Sequence, residues 1–166
     1  MRLLIAAIGK LKQGPERDLF AHYLGRAEAA GRKLHLSPLH VTEVAESRGT
    51  TARARVKAEG EALLAKIPDS YRLLCFDSGG KPLSSQAFAH LLASYRDEGV
   101  EGIAFLIGGA DGLAKVALDK AAEVMSLGPM TLPHGLARIV LAEQIYRTAT
   151  ILAGHPYHRA ERLKNS

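Results

Sequence analysis

Two imidazoles, a phenol and a guanidinium lie close together near the end of the chain, in the segment His155-Pro156-Tyr157-His158-Arg159. Imidazole titrates near neutral pH and can carry protons, aromatic rings can stack on nucleobases, and a guanidinium can bind phosphate. A polar chain end without a role is the alternative, since termini are commonly poorly ordered. The mixture of groups favours a functional segment.

Three glycine-rich loops follow the last three apolar runs of the chain, at residues 77–82, 108–112 and 128–135. Backbone can approach a ligand closely only where no Cβ intervenes, and ligands of open α/β sheets bind beyond the carboxyl ends of the strands. Glycine also serves ordinary turns, so a single loop would carry little weight. The three together predict a small-molecule site.

Common cofactor and nucleophile fingerprints are absent. The dinucleotide motif G-x-G-x-x-G, the P-loop and the nucleophile elbow G-x-S-x-G do not occur. The single cysteine, Cys75, excludes a cysteine-based zinc site, and we expect no metal.

Asp77 and Asp111 could act on a ligand or simply stabilise turns. His134 lies in the longest Gly/Pro loop.

Apolar runs alternate with helical stretches along the chain. Continuous apolar runs are typical of buried parallel strands, and Gly or Pro punctuates the helices. The predicted strands are 3–8, 34–41, 71–76, 102–107 and 123–127, and the predicted helices are 15–30, 50–67, 84–98 (capped by Ser84 or Ser85), 113–120 and 136–152. Pro38 places the second strand at an edge or in a bulge. The order predicts an α/β fold, a mostly parallel sheet with helices on both faces.

The last predicted helix, 136–152, is apolar around more than the single stripe of a surface helix. Its apolar residues are Leu136, Ile139, Val140, Leu141, Ile145, Tyr146, Ile151 and Leu152. Two explanations are equally good on sequence alone. Either both sides are buried in one core, or one face meets a partner subunit.

Length and composition suit one domain over residues 1–166. The chain has 166 residues, of which 47% are hydrophobic and 23% charged, and this excludes disordered, collagen-like and disulfide-scaffold proteins. The apolar stretch near the start is far shorter than the ~20 residues of a membrane span. We expect a cytoplasmic protein with no membrane partner.

Positive charge is concentrated in two places. The formal net charge is +5, and the first 83 residues hold 14 Lys and Arg against 9 Asp and Glu. Arg48, Arg53, Arg55 and Lys57 stand together with no acid between them, and a basic tail begins at about residue 155. Such clusters fit a polyanion partner such as nucleic acid, and a solvated helix face is the alternative.

Four segments carry a family resemblance: 105–113 (FLIGGxxGL), 126–134 (SLxxMTLPH), 138–147 (RIVLAEQIYR) and 155–159 (HPYHR). Together with the start of the chain and Asp77-x-x-Gly80-Lys81, they closely resemble the large-subunit ribosomal RNA methyltransferase H family of SPOUT, or α/β-knot, methyltransferases. The resemblance spans essentially the whole chain. It implies a trefoil-knot fold, a homodimer formed through helix 136–152, and S-adenosylmethionine as cofactor. It also implies methylation of N3 of a pseudouridine in 23S rRNA on the assembled ribosome.

The resemblance also points to site residues. The expected cofactor contacts are Phe76, Gly108, Gly109, Gly128, Pro129, Met130, Thr131, Leu132, Pro133 and His134. The candidates for removing the N3 proton or stabilising the resulting anion are His155, Tyr157, His158 and Arg159, which would reach the cofactor of the partner subunit. We expect Arg53, Arg55 and Lys57, together with the tail, to contact phosphates of the ribosome.

Two other functions stay open. A knot-fold protein could bind ribosomal RNA without methylating it, although the intact glycine loops argue against this. A nucleotide-dependent enzyme of unrelated chemistry is disfavoured by the absent fingerprints. The chain departs from the family at Ala110-Asp111, where Pro-Glu is frequent, and residues 160–166 extend past the usual end.

Overall fold

Five strands and five main helices alternate along residues 1–154, the part of the chain described in this computed structural model. The strands are β1 Arg2–Ile8, β2 Leu39–Val44, β3 Tyr71–Pro82, β4 Gly102–Ile107 and β5 Glu123–Ser126. The helices are α1 Pro15–Gly31, α2 Ala52–Leu64, α3 Ser85–Asp97, α4 Lys115–Lys120 and α5 His134–Leu152. All neighbouring strands pair in parallel, in the order β2-β1-β4-β3-β5.

Helices cover both faces of the sheet. On one face, α1, α3 and α5 pack against the strands through residues such as Phe20, Phe88 and Ile145. On the other face, α2 and α4 contribute Leu63 and Ala117. The central strand β4 is buried along its whole length, because a strand covered on both faces has no side that meets water. The predicted α/β class is confirmed.

The second strand lies at the edge of the sheet, as Pro38 predicts, but its predicted start at residue 34 is wrong. The strand begins at Leu39, and residues Arg32–Leu34 form a short 3₁₀ turn instead. Proline has no N–H to donate to a neighbouring strand, whereas its carbonyl still accepts a hydrogen bond from the Leu3 amide at 2.8 Å. The extended pairing therefore starts after the proline.

The third strand continues past its predicted end at Phe76. Its pairing with β5 shifts between Phe76 and Lys81, so that both residues lie opposite Met125. A Cβ on Gly80 would lie 2.4 Å from the carbonyl carbon of Met125, and only glycine fits this approach. The prediction of a loop at 77–82 is thus wrong, because these residues form an irregular extension of β3.

A fully buried arginine joins α5 to the sheet. Arg138 is 0% exposed and donates hydrogen bonds to the Glu43 carboxylate of β2 and to the Gly9 carbonyl, both at 2.8 Å, and to the carbonyl of Ile8. Burial lowers the pKa of Arg138, and the neighbouring Glu43 opposes that shift. Arginine stays protonated in proteins, so a cation sits between α5, β2 and the end of β1.

The chain itself buries most of the apolar residues of α5. Leu141 and Ile145 are 0% and 3% exposed, in the same cluster as residues of α1 and α3. Burial in one core therefore accounts for these two positions without a second subunit. Leu136, at 40% exposure, is the apolar residue of α5 that stays most open to a partner among the described residues.

We predict that Arg138→Met lowers the free energy of unfolding by about 3 kcal/mol, as expected when one partner of a buried ion pair is removed. We take the lower end of the ~3–5 kcal/mol range because the Glu43 side chain is 27% exposed and keeps part of its hydration. Urea unfolding followed by far-UV circular dichroism measures the change. Arg17→Met on the exposed surface of α1 is the control, with an expected change below ~0.5 kcal/mol. Equal stability of the two variants would contradict the prediction.

Candidate ligand-binding site

The irregular part of β3 and the loops after β4 and β5 surround one cleft of about 760 Å³. These strands are neighbours in the sheet, and the carboxyl ends of parallel strands share an edge, so the loops that follow them meet. The lining consists of Phe76, Asp77 and Ser78 of β3, residues 107–112 at the end of β4 and in the loop after it, residues 126–128 and 130–133 at the end of β5 and in the loop after it, and His134 and Ala137 of α5.

Nine of the ten residues that the sequence assigns to a cofactor line this cleft. They are Phe76, Gly108, Gly109, Gly128, Met130, Thr131, Leu132, Pro133 and His134. Pro129 is exposed and is not part of the lining, and Met130 is 81% exposed. The structure therefore brings the candidates together, while their role in binding a cofactor stays a prediction.

The loop at 108–112 is tightly folded at its glycines. The Gly112 amide donates a hydrogen bond to the Gly109 carbonyl at 3.1 Å, and the two residues form an isolated antiparallel bridge. Gly112 has a φ of +85°, in the region that favours glycine. A Cβ on Gly108 would lie 2.6 Å from the Gly112 carbonyl group. Such a loop leaves backbone groups, which both donate and accept hydrogen bonds, to contact a ligand.

Phe76 gives the cleft an apolar wall. Its ring contacts two further aromatic rings, with centroid distances of 6.5 Å to Phe88 and 6.4 Å to Phe105. Offset and edge contacts of this kind hold rings in place. Phe76 also lines a smaller cavity of about 360 Å³ beside the start of α3. The packed ring can support a planar apolar ligand group from one side.

Both carboxylates of the cleft already have protein partners. The Asp77 Oδ1 accepts a hydrogen bond from the Gly79 amide at 2.9 Å, which is the turn-stabilising alternative of the sequence analysis. Asp111 accepts two hydrogen bonds from Arg55, from Nε at 2.7 Å and from Nη2 at 3.2 Å. The hydrogen bonds from Arg55 lower the pKa of Asp111, so it is ionised at neutral pH.

This pairing changes the interpretation of the basic cluster. Arg55 is engaged with Asp111 and donates a further hydrogen bond to the Gly49 carbonyl at 3.1 Å. Arg53 and Lys57 are exposed on the same helix. Of the three expected phosphate contacts, these two are therefore the ones whose charge faces solvent.

His134 and Cys75 lie near the cleft and carry side chains that could be reactive. His134 is the first residue of α5 rather than a loop residue, and its Nε2 lies 3.9 Å from the Glu46 Oε1. Cys75 is 0% exposed, and burial raises the pKa of its thiol to about 12. A thiol that stays protonated at neutral pH is a poor nucleophile.

Sequence reasoning missed two buried charges. Glu59 on α2 is 6% exposed, and its Oε1 accepts a hydrogen bond from the Ser47 amide at 2.8 Å. Arg138 is the other, and its position inside the apolar run 136–142 was the available signal, because a charge there needs a buried partner.

The four candidate catalytic residues of the tail lie outside the described part of the chain. His155, Tyr157, His158 and Arg159 are outside residues 1–154. Within that part of the chain, no group of three or more His, Cys, Asp and Glu side chains is placed to hold a metal ion. None of the helices described is long and apolar enough to cross a membrane.

The fold is an α/β fold with a cleft at the carboxyl edge of a parallel sheet. A family model described as "Predicted SPOUT methyltransferase" matches residues 1–158. The chain therefore belongs to the SPOUT methyltransferase family.

Similar proteins agree with this assignment. A relative from Xanthobacter autotrophicus is 51% identical over 96% of this chain and 100% of its own length, and one from Rhodopseudomonas palustris is 54% identical with the same coverage. Both are named "Ribosomal RNA large subunit methyltransferase H". The crystal structure of a probable methyltransferase from Bordetella pertussis Tohama I matches with a TM-score of 0.51 over 89% of this chain and 96% of that one. At 13% identity, that match concerns the fold alone.

Proposed function

We propose that this chain is an S-adenosylmethionine-dependent methyltransferase that methylates N3 of a pseudouridine in 23S rRNA. The observation that carries the proposal is the convergence of the irregular part of β3 and the glycine-containing loops after β4 and β5 on one cleft, in a chain of the SPOUT methyltransferase family. The names of the relatives supply the substrate class, large-subunit ribosomal RNA.

The cleft has the size and composition that this cofactor needs. Its volume of about 760 Å³ lies within the range of ~300–1,000 Å³ for small-molecule sites. Gly108 and Gly109 allow backbone to approach an adenine edge, and Phe76 and Leu132 offer apolar contact to its ring. The bound cofactor supplies an electrophilic methyl group on sulfur. Positioning this group against the acceptor nitrogen would provide most of the acceleration.

The acceptor N3 carries a proton that must leave. His155 and His158 are the candidate bases in the tail, and Tyr157 and Arg159 are candidates for stabilising the anion that forms. Among the described residues, His134 is the imidazole that lines the cleft, so it is a further candidate for contact with the substrate or cofactor.

We further propose a homodimer formed through residues 136–152, in which the tail of one subunit completes the cleft of the other. Leu136 and the half-buried Val140 are apolar residues of α5 that a partner could cover. The assembled ribosome would be the substrate, reached through Arg53, Lys57 and the tail. A cytoplasmic location follows from that substrate.

The first test is cofactor binding to Gly109→Val. A Cβ at this position would lie 3.0 Å from both the Glu59 Oε2 and the Ile8 Cγ2, so the branched side chain must displace the loop. We predict that calorimetry detects no S-adenosylmethionine binding, while the far-UV circular dichroism stays near that of the wild type. Gly25→Val, at a helix position with no atom within 4 Å of the added Cβ, is the control and should bind normally.

Two results would count against the proposal. Cofactor affinity of Gly109→Val equal to the wild type would show that the site lies elsewhere. Wild-type protein that gives no heat with S-adenosylmethionine but binds ribosomes would instead support a non-catalytic RNA-binding protein.

Ribosome binding tests the basic surface of α2. We predict that Arg53→Glu combined with Lys57→Glu weakens ribosome affinity but leaves cofactor affinity unchanged. The slope of log affinity against log salt should shrink by about 0.7–0.9 for each phosphate that the variant no longer neutralises. Lys33→Glu with Lys66→Glu makes the same charge change after the carboxyl ends of α1 and α2, at the opposite edge of the sheet. If both pairs reduce affinity equally, net charge rather than this surface attracts RNA.

Truncation tests the tail. A chain that ends after Gly154 keeps every element described above, so we predict that it folds and binds S-adenosylmethionine. Its single-turnover methyl transfer to ribosomes should fall by at least ~100-fold, the lower end of what a positioned proton acceptor supplies. A chain that ends after Arg159 is the control and should keep activity within a few-fold. Wild-type turnover after truncation at Gly154 would exclude the tail from the active site.

A further inference from the structure

One guanidinium connects the floor of the cleft to the segment in front of α2. Arg55 donates from Nε to the Asp111 Oδ2 at 2.7 Å and from Nη2 to the Asp111 Oδ1 at 3.2 Å. Its Nη1 donates to the Gly49 carbonyl at 3.1 Å. Asp111 belongs to the glycine loop 108–112, and Gly49 belongs to the segment 45–51 between β2 and α2. A single side chain therefore joins two loops at the carboxyl edge of the sheet.

A second residue of α2 makes the same connection. Glu59 accepts a hydrogen bond from the Ser47 amide at 2.8 Å, and its Oε2 lies 3.0 Å from the position of a Cβ on Gly109. Residues four apart share a face of a helix, so Arg55 and Glu59 point to the same side of α2. That side contacts both the segment 45–51 and the loop 108–112.

Arg55 and Asp111 form a bidentate ion pair. Bidentate contact between arginine and carboxylate is more directional than a lysine pair and stronger than a single hydrogen bond. The Arg55 and Asp111 side chains are 33% and 28% exposed, so solvent screens the attraction between their charges only in part. Of the two, Asp111 lines the cleft and Arg55 does not.

We infer that Arg55 is a positioning residue of the cofactor site: its paired guanidinium holds the loop 108–112 in the conformation that binds the cofactor. This replaces its expected role as a phosphate contact, which Arg53 and Lys57 can fill from the exposed side of the helix. The inference rests on the proposed function, because the cofactor is taken to be S-adenosylmethionine. Since Arg55 lies outside the cleft lining, any effect of it on cofactor affinity must pass through the loop.

The test is a double-mutant cycle with cofactor affinity as the readout. Calorimetry with S-adenosylmethionine compares the wild type, Arg55→Gln, Asp111→Asn and the double variant. We expect Arg55→Gln to weaken affinity about 3- to 10-fold, in keeping with a partly exposed bidentate pair. The double variant should bind no more weakly than the weaker single variant, because both changes break the same contact.

Two further variants separate positioning from general stability. Arg55→Lys keeps the charge but loses the planar fork, and we expect affinity between that of the wild type and Arg55→Gln. It also supplies a folded variant should Arg55→Gln unfold. Asp119→Asn removes the exposed pair with Lys115 on α4, and its cofactor affinity should equal that of the wild type.

The outcomes are distinct. Wild-type cofactor affinity in Arg55→Gln, or in Arg55→Lys should only that variant fold, would overturn the inference, even if the melting temperature fell. Affinity decreases that add in the double variant would also overturn it, because Arg55 and Asp111 would then act separately. Absence of cofactor binding to the wild type would overturn the proposed function, and this inference with it, without any variant being needed.

Discussion

The arrangement of the cleft depends on one buried cation. Taking a guanidinium out of water costs several kcal/mol, and Glu43 with the carbonyls of Ile8 and Gly9 offsets that cost. The Nε of Arg138 has no hydrogen-bond partner among the described residues, so the compensation is incomplete. Apolar packing is not directional, whereas these hydrogen bonds fix one orientation of α5 against β1 and β2. The same first turns of α5 contribute His134 and Ala137 to the cleft, so its wall is set by that orientation.

Close backbone contacts also occur at the carboxyl edge of the sheet, beside the cleft and within its lining. Gly80 lies against the backbone of Met125, and Gly108 lies against that of Gly112, at distances where a Cβ would overlap other atoms. Glycine loses more conformational freedom on folding than other residues, so each such position is destabilising by itself. In return, the backbone segments approach each other closely at these two positions. The shape of this edge of the sheet thus depends on glycine at Gly80 and Gly108 as well as on the side chains that line the cleft.

The sequence predicted most of the fold because its signals are local. Apolar runs gave β1 and β4 nearly to the residue, and the shared edge of a parallel sheet predicted that the glycine loops meet. The failures have non-local causes. The start of β2 depends on pairing that Pro38 cannot support, and the extension of β3 depends on the fit of Gly80 to Met125. The carboxylate partner of Arg55 lies 56 residues away in sequence, and the partners of Arg138 lie up to 130 residues away, beyond the reach of any local pattern.

Helix geometry explains why one basic cluster in the sequence becomes two surfaces in the structure. At ~100° per residue, Arg53 and Lys57 lie on one side of α2, and Arg55 and Glu59 lie on the opposite side. The first side faces solvent, and the second contacts the segment 45–51 and the loop 108–112. Only part of the positive charge counted in the sequence is therefore open to a polyanion. Because both sides belong to one helix of 13 residues, any RNA bound at the first side would be attached to the same rigid element as the loop 108–112. The placement of the substrate relative to the cofactor would then be set by α2 itself.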